Sequence, residues 1–302
     1  MIDPIVAKIE SLKRERNAVL LVHNYQMGEV QDIADHLGDS LGLSQVAART
    51  DADVIVFCGV YFMAETAAIL NPEKKVLLPD RYAGCPLADM ITVEQLCEMK
   101  EKHPDAVVVC YVNSSAEIKA ESDYCCTSAN AEAVVNSIDS GRDIIFVPDK
   151  YLGGYTAGQT GRELILWQGY CPTHARISPK AIERLKQEHP AALVMAHPEC
   201  PPSVLKIADE VLSTSGMCRV AAESDAVEFI VATEVGMLHR LKKENPLKEF
   251  YPAARNAVCK NMKMINLEKI LWSLEDMAPE ITVPAEIREQ ALTAIQRMVD
   301  IH

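Results

Sequence analysis

Three of the ten cysteines keep a near-constant interval: 86 residues separate Cys85 from Cys171, and 88 separate Cys171 from Cys259. Their settings are Ala83-Gly84-Cys85-Pro86, Gly169-Tyr170-Cys171-Pro172 and Ala257-Val258-Cys259-Lys260. Polar pairs keep the same interval: His23 and Tyr25, Tyr111 and Asn113, His197 and Glu199. So do three hydroxyls, Ser40, Ser128 and Thr214. Each residue type suggests a chemistry. Three thiolates brought together on an axis suit an iron–sulfur cluster, and three rather than four leave one iron open to substrate. A carboxylate beside a histidine, as in His197-Pro198-Glu199, can move protons. Hydroxyls at helix starts, with free N–H groups and the positive dipole end, can bind carboxylate or phosphate. Together they point to a small substrate with several anionic groups.

These residues need a scaffold that repeats as they do. Ala18-Val-Leu-Leu-Val-His23 aligns with Ala106-Val-Val-Val-Cys110-Tyr111 and with Ala192-Leu-Val-Met-Ala196-His197. The same offsets relate Val30, Ile118 and Val204, then Asp35, Asp123 and Asp209, without a gap. Each repeat reads strand, helix, hydroxyl turn, helix, strand, helix, strand; in the first, strands are expected near 19–22, 54–57 and 76–78. Val30, Ile33, Ala34 and Leu37 read as one helical stripe, and Ser40 and Ser128 as N-caps. Alternation of strands and helices predicts an α/β fold: three pseudo-equivalent αβα parallel-sheet domains around a central pseudo-threefold axis, plus a C-terminal helix. The expected units are 1–85, 86–171 and 172–259, with 260–302 packing on the first and an amphipathic helix over Pro284 to Met298. Ligands bind beyond the carboxyl ends of parallel strands, which gathers the six strand-end residues on one inner surface.

Lesser features are assigned in the same way. Asp35, Asp123 and Asp209 are expected to make structural hydrogen bonds. His174, three residues after Cys171, is a candidate for the site. Lys150, Thr233 and Glu234 follow inner strands and are expected to line the same cavity. Cys58, Cys97 and Cys110 sit in apolar segments and read as core thiols. Gly153-Gly154-Tyr155-Thr156 reads as a turn into a helix. His36, His103, His189, His239 and His302 fit no constellation.

Composition narrows the function. The chain has 302 residues, 30 Lys and Arg against 43 Asp and Glu, and a net charge of −13. Such a field repels phosphate backbones and argues against nucleic-acid binding. No apolar run approaches the ~20 residues that span a bilayer, and the N-terminal run has no signal-peptide pattern. A cytoplasmic location is expected, where cysteines serve as ligands or core residues rather than disulfides.

Several longer runs carry a resemblance: His23-Asn24-Tyr25-Gln26, Gly38-Asp39-Ser40, Phe62-Met63-Ala64-Glu65-Thr66, Tyr111-Val112-Asn113-Ser114, Thr127-Ser128-Ala129-Asn130, Pro148-Asp149-Lys150, His197-Pro198-Glu199-Cys200 and Thr233-Glu234. In order and over almost the whole chain, they resemble the quinolinate synthases of NAD biosynthesis. The resemblance implies condensation of iminoaspartate with dihydroxyacetone phosphate, losing phosphate and water. It implies a [4Fe–4S] cluster on Cys85, Cys171 and Cys259, its open iron acting as a Lewis acid. It also implies proton transfer by Glu199 and Tyr25, with His197 and Tyr111 beside them. His23 and Ser40 would hold the triose phosphate. Tyr111, Asn113, Ser128, His197 and Thr214 would hold carboxylates and intermediates, and His174 would lie near the open iron. Partners would be the two small substrates and a transient iminoaspartate-producing enzyme, with no nucleic acid and no membrane. The run Pro172-Thr173-His174 departs from the pattern, which has an apolar residue before the histidine. No cysteine closely follows Cys259, so a disulfide switch there is not expected.

Two other readings compete. One is a sibling three-cysteine [4Fe–4S] enzyme of the diphthamide-synthesis or isoprenoid-reductase type; the acid–base runs at 23–25 and 197–199 argue against it. The other is a non-catalytic iron–sulfur sensor, which calls for a basic partner surface that the charge does not supply.

Overall fold

The structure is a computed structural model that describes residues 3–301. The first unit runs α1 (Pro4–Glu15), β1 (Ala18–His23), α2 (Gly28–Asp32), β2 (His36–Gly38), α3 (Ser40–Arg49), β3 (Val54–Cys58), α4 (Tyr61–Leu70) and β4 (Lys75–Leu77). The second runs α5 (Val93–Lys102), β5 (Val107–Tyr111), α6 (Ala116–Ala120), β6 (Tyr124–Cys126), α7 (Ala131–Ser137), β7 (Ile144–Val147), α8 (Lys150–Thr160) and β8 (Ile165–Leu166). The third runs α9 (Pro179–Glu188), β9 (Leu193–Ala196), α10 (Pro202–Leu205), β10 (Glu210–Val211), α11 (Thr214–Glu223), β11 (Glu228–Ala232), α12 (Met237–Glu244) and β12 (Glu249–Pro252). Two helices close the chain, α13 (Leu267–Asp276) and α14 (Ala285–Asp300).

Each unit holds one four-stranded parallel sheet, and all three share one order: β2-β1-β3-β4, β6-β5-β7-β8 and β10-β9-β11-β12. The central strands β3 and β5 are buried along their whole length. Sheets covered by helices on both faces demand such continuous apolar runs, which is why these strands do not alternate. Asp35, Asp123 and Asp209 perform one structural task three times. Their carboxylates accept the N–H groups of Leu20, Val108 and Val194, each at 2.8 Å. Their own N–H groups donate to the carbonyls of the same three residues. This clamps the edge strand to the first strand of each unit.

Some expectations give way. The stripe from Val30 to Leu37 is not one helix: α2 stops at Asp32 and Leu37 lies in β2. The three edge strands β2, β6 and β10 occupy the segments read as hydroxyl turns; at two or three residues they carry no periodic signal. Ser40 is the first residue of α3 rather than its cap. Asp39 caps it, accepting the Gly42 N–H at 2.8 Å. Likewise Ser213 caps α11, and Asn130, not Ser128, is the cap residue of α7. The glycines at 153 and 154 lie inside α8 rather than in a turn before it. Helix α14 lies across α6 and β6, with further contact to α4 and α3, while α13 packs against α1. Its buried face is Ala291, Ala294, Ile295, Met298 and Val299.

Candidate active site

The first strand of each unit delivers two polar side chains to a common centre. His23 and Tyr25 follow from β1, Tyr111 and Asn113 from β5, and His197 and Glu199 from β9. All six line one cavity, together with Ser40, Ser128 and Thr214. The same cavity receives Cys85, Cys171, Cys259 and His174. Every residue expected at the site from its spacing therefore reaches it. Of the three residues expected from inner strands, Glu234 lines the cavity. Thr233 supports it from just behind. Lys150 is not part of the lining, because its amine lies over the rings of Tyr151 and Tyr170.

Glu199 sits at the centre of the polar network. Its Oε1 accepts the Tyr111 hydroxyl at 2.7 Å and the Asn113 amide at 3.3 Å. Its Oε2 lies 2.6 Å from His174 Nδ1 and 3.7 Å from His197 Nδ1. Burial alone would raise this carboxyl. The neighbouring His174, then His197 and the Tyr111 hydroxyl, outweigh it and hold the group at about 2. Glu199 is thus an ionised carboxylate. His174 continues the network: its Nε2 is 2.8 Å from Thr233 Oγ1, which is 2.6 Å from the Tyr25 hydroxyl. Burial drives the phenols of Tyr25 and Tyr111 well above their ordinary range, so both are neutral donors.

The two strand-end histidines are neutral as well. Burial lowers His23 and His197 to about 3. Each ring accepts at Nδ1 from the backbone N–H two residues on, Tyr25 for His23 and Glu199 for His197. A neutral imidazole that accepts at Nδ1 carries its proton on Nε2. His197 Nε2 then donates to Ser128 Oγ, 3.1 Å away. The histidine pair is a repeated device, with the second unit placing Tyr111 at the same position.

The three cysteines are also held alike. Each is followed by a one-turn 3-10 helix, at Ala88–Met90, His174–Arg176 and Met262–Met264. The turn directs two backbone N–H groups at each sulfur: from Leu87 and Ala88 to Cys85, from Thr173 and His174 to Cys171, and from Asn261 and Met262 to Cys259. These donors favour thiolates. Burial and mutual repulsion act against them: Cys85 is pushed up to about 12 by burial, with Cys259 and Glu199 adding to it. One thiol from each unit, each with N–H donors, fits an iron–sulfur cluster with three protein ligands. The ligand atoms of Cys171, His174 and Glu199 lie within 4.8 Å of one another, which sets the acid–base groups beside the thiol centre.

Two acids stand behind this centre: Glu234, expected in the cavity lining, and Asp149, for which the sequence suggests no individual role. Asp149 accepts the Cys171 N–H at 3.1 Å, and Glu234 accepts the Cys259 N–H at 3.1 Å. Lys263 pairs with Glu234 at 3.1 Å. Asp149 and Glu234 each precede a repeated hydrogen bond, in which Tyr61, Lys150 and Val235 donate to Ala83, Gly169 and Ala257. Their place in the repeat was a usable signal. The first unit has Val60 there, which hides it.

Three parallel α/β units thus enclose one cavity that combines a three-thiol centre with acid–base groups and anion-directed donors, the site of an enzyme. The comparisons with known proteins agree. Residues 7–300 match the family described as NadA: Quinolinate synthetase A protein. The quinolinate synthase of Dehalococcoides mccartyi strain CBDB1 is 57% identical over 294 residues, 97% of each chain. That of Geobacter metallireducens is 56% identical over 299 residues, 99% of this chain and 98% of the relative. That of Methanosarcina barkeri is 54% identical over 297 residues, 98% of this chain and 97% of the relative. The chain belongs to the quinolinate synthetase A family.

Proposed function

We propose that this protein makes quinolinate from iminoaspartate and dihydroxyacetone phosphate, releasing phosphate and water. The observation that carries the reading is the convergence on one cavity of three repeat-related cysteines and the Glu199 network. Cys85, Cys171 and Cys259 would hold a [4Fe–4S] cluster. When bound, it supplies a Lewis acid at the iron without a protein ligand.

The remaining steps belong to side chains. His23 Nε2 and the hydroxyls of Ser40, Ser128 and Thr214 bind and orient the anionic groups of the two substrates. Glu199, ionised and backed by His174, accepts a proton from the carbon that forms the new bond. Tyr25 and Tyr111, kept protonated by burial, donate to oxygens that develop charge or depart. Asn113 holds the Glu199 carboxylate in place, and His197 holds Ser128. The buried cavity keeps bulk water from competing for the reactive intermediates.

The units at 1–85, 86–171 and 172–259 are read as the three domains that meet at this site. Among the described residues no helix is long and apolar enough to cross a membrane. The reading places the enzyme in the cytoplasm, supplied with unstable iminoaspartate by the enzyme that makes it. The test is an anaerobic assay with both substrates, with quinolinate quantified and cluster absorption read in the same sample. Quinolinate formation that is lost in Cys85→Ser is the expected result. A brown protein that forms no quinolinate would overturn the reading.

A further inference from the structure

We propose that Arg240 and Asn24 are positioning residues that turn the Thr214 hydroxyl into a hydrogen-bond donor aimed at an anionic group of the substrate. The inference rests on the functional reading above and concerns how the polarity of that cavity is set.

A guanidinium can only donate hydrogen bonds. Arg240 Nη1 lies 2.9 Å from Asn24 Oδ1 and 3.0 Å from the Leu37 carbonyl. A second nitrogen, Nε, is fixed by Glu244 at 2.7 Å. This identifies the oxygen end of the Asn24 amide. Its Nδ2 must then face Thr214 Oγ1, 2.8 Å away. An amide N–H also only donates, so the Thr214 oxygen accepts and its own proton must point elsewhere. Thr214 lines the central cavity, and among the described residues no protein acceptor faces its hydroxyl. The proton is therefore directed at whatever fills the cavity, and an acceptor such as a carboxylate or phosphate oxygen satisfies it.

The repeat strengthens the case. Asn24 is fully buried, yet the equivalent positions hold Val112 and Pro198. The unit fold does not need an amide there. Arg240 belongs to the third unit and Asn24 to the first, so the relay also ties Thr214 to the packing of two units. Ser128 reaches the same state by another route, since the His197 Nε2–H satisfies its oxygen.

The test is Asn24→Asp in the cluster-loaded protein. An aspartate there still accepts from Arg240, but it also accepts the Thr214 proton and turns it from the cavity. Calorimetry with succinate and with inorganic phosphate reads the affinity, and steady-state kinetics read KM against kcat. Asn24→Asp and Thr214→Val should each weaken one probe by about 10-fold to 100-fold, as expected for a lost hydrogen bond to a charged acceptor. KM should rise with kcat much less affected. The double variant should be no worse than either single, because both remove one interaction. Thr214→Ser should retain affinity. Whichever probe weakens names the group that Thr214 holds. Full affinity in Asn24→Asp, or additive losses in the double variant, would overturn the proposal. If Asn24→Asp loses cluster absorption or folding, Arg240→Gln takes its place. It frees the amide to rotate and should cost a few-fold in affinity, and no loss there would be equally fatal. If the wild type binds neither probe, the functional reading falls and this inference with it.

Discussion

At the scale of single residues, burial and close neighbours decide which groups are charged. Glu199 keeps its charge because His174, His197 and Tyr111 surround it; His23, His197 and the phenols of Tyr25 and Tyr111 stay neutral. Replacing Glu199 by Gln keeps the shape and an oxygen for the Tyr111 hydroxyl but removes the base. We expect turnover to fall by about 10²-fold or more, with succinate binding largely retained, as single-turnover kinetics and calorimetry would show. Glu65 makes a separate prediction away from the centre. Burial between α4 and α6 raises its carboxyl to about 7, while Lys119 partly opposes the shift. Between an unfolded value of 4.5 and that folded value, the unfolded chain releases the proton and the folded chain keeps it. Stability from this group is therefore present below the unfolded value and is lost as pH rises through 7. The loss is of the order of 3 kcal/mol. Glu65→Gln should match the wild type near pH 4 and unfold at a clearly higher temperature at pH 8. Equal melting temperatures at pH 8 would contradict the assignment.

At the scale of elements, loop geometry explains what repeats and what does not. Ala83, Gly169 and Ala257 stand at one repeat position, each accepting the same backbone hydrogen bond. Only the second unit has glycine, because the Pro148 carbonyl occupies the space that a Cβ would take. Gly169→Ala should therefore push away the segment that carries Cys171, two residues on. Reduced iron content and a lower melting temperature are the expected readouts, while Ala257→Gly should leave iron content unchanged. Asn130 links the last helix to the site in a similar way. Its Oδ1 accepts the Thr127 N–H at 2.9 Å, closing the turn that carries Ser128, and its Nδ2 donates to the carbonyls of Met298 and Ile301 at 2.9 Å. Much of this was legible in the sequence. The strand runs, the three aspartates and the three cysteines share one offset, and that offset alone locates the cavity. The edge strands were not legible, since two or three residues hold no period. The caps were misplaced for a physical reason: Asp39 and Ser213 cap equally well one residue earlier, which frees Ser40 and Thr214 for the cavity. Nor does any spacing reveal Asn24 and Arg240, because their contact joins different units and does not repeat.

At the scale of the whole molecule, the site belongs to no unit. Each unit contributes one thiol with its two N–H donors, one hydroxyl and one strand-end pair, and the functional set exists only when all three meet. The ten cysteines then divide by environment rather than by sequence neighbourhood. Cys58, Cys110, Cys125, Cys126, Cys200 and Cys218 are buried within the units, and Cys97, expected in the core, is partly buried on α5 and outside the cavity lining, whereas Cys85, Cys171 and Cys259 are partly buried around the shared cavity. This division predicts a sharp split between serine variants. Cys85→Ser, Cys171→Ser and Cys259→Ser should each lose both visible absorption and quinolinate formation, although only Cys171 touches His174 and lies beside Glu199. A serine at Cys58, fully buried in β3, should instead cost about 1–3 kcal/mol through a polar group placed in an apolar strand. It should keep both absorption and turnover at temperatures where it remains folded. Anaerobic spectra, iron analysis and product assays across the four variants check the division. If the Cys58 variant lost its iron while folded, or one of the other three kept full iron and activity, the cluster would not rest on the threefold-related set.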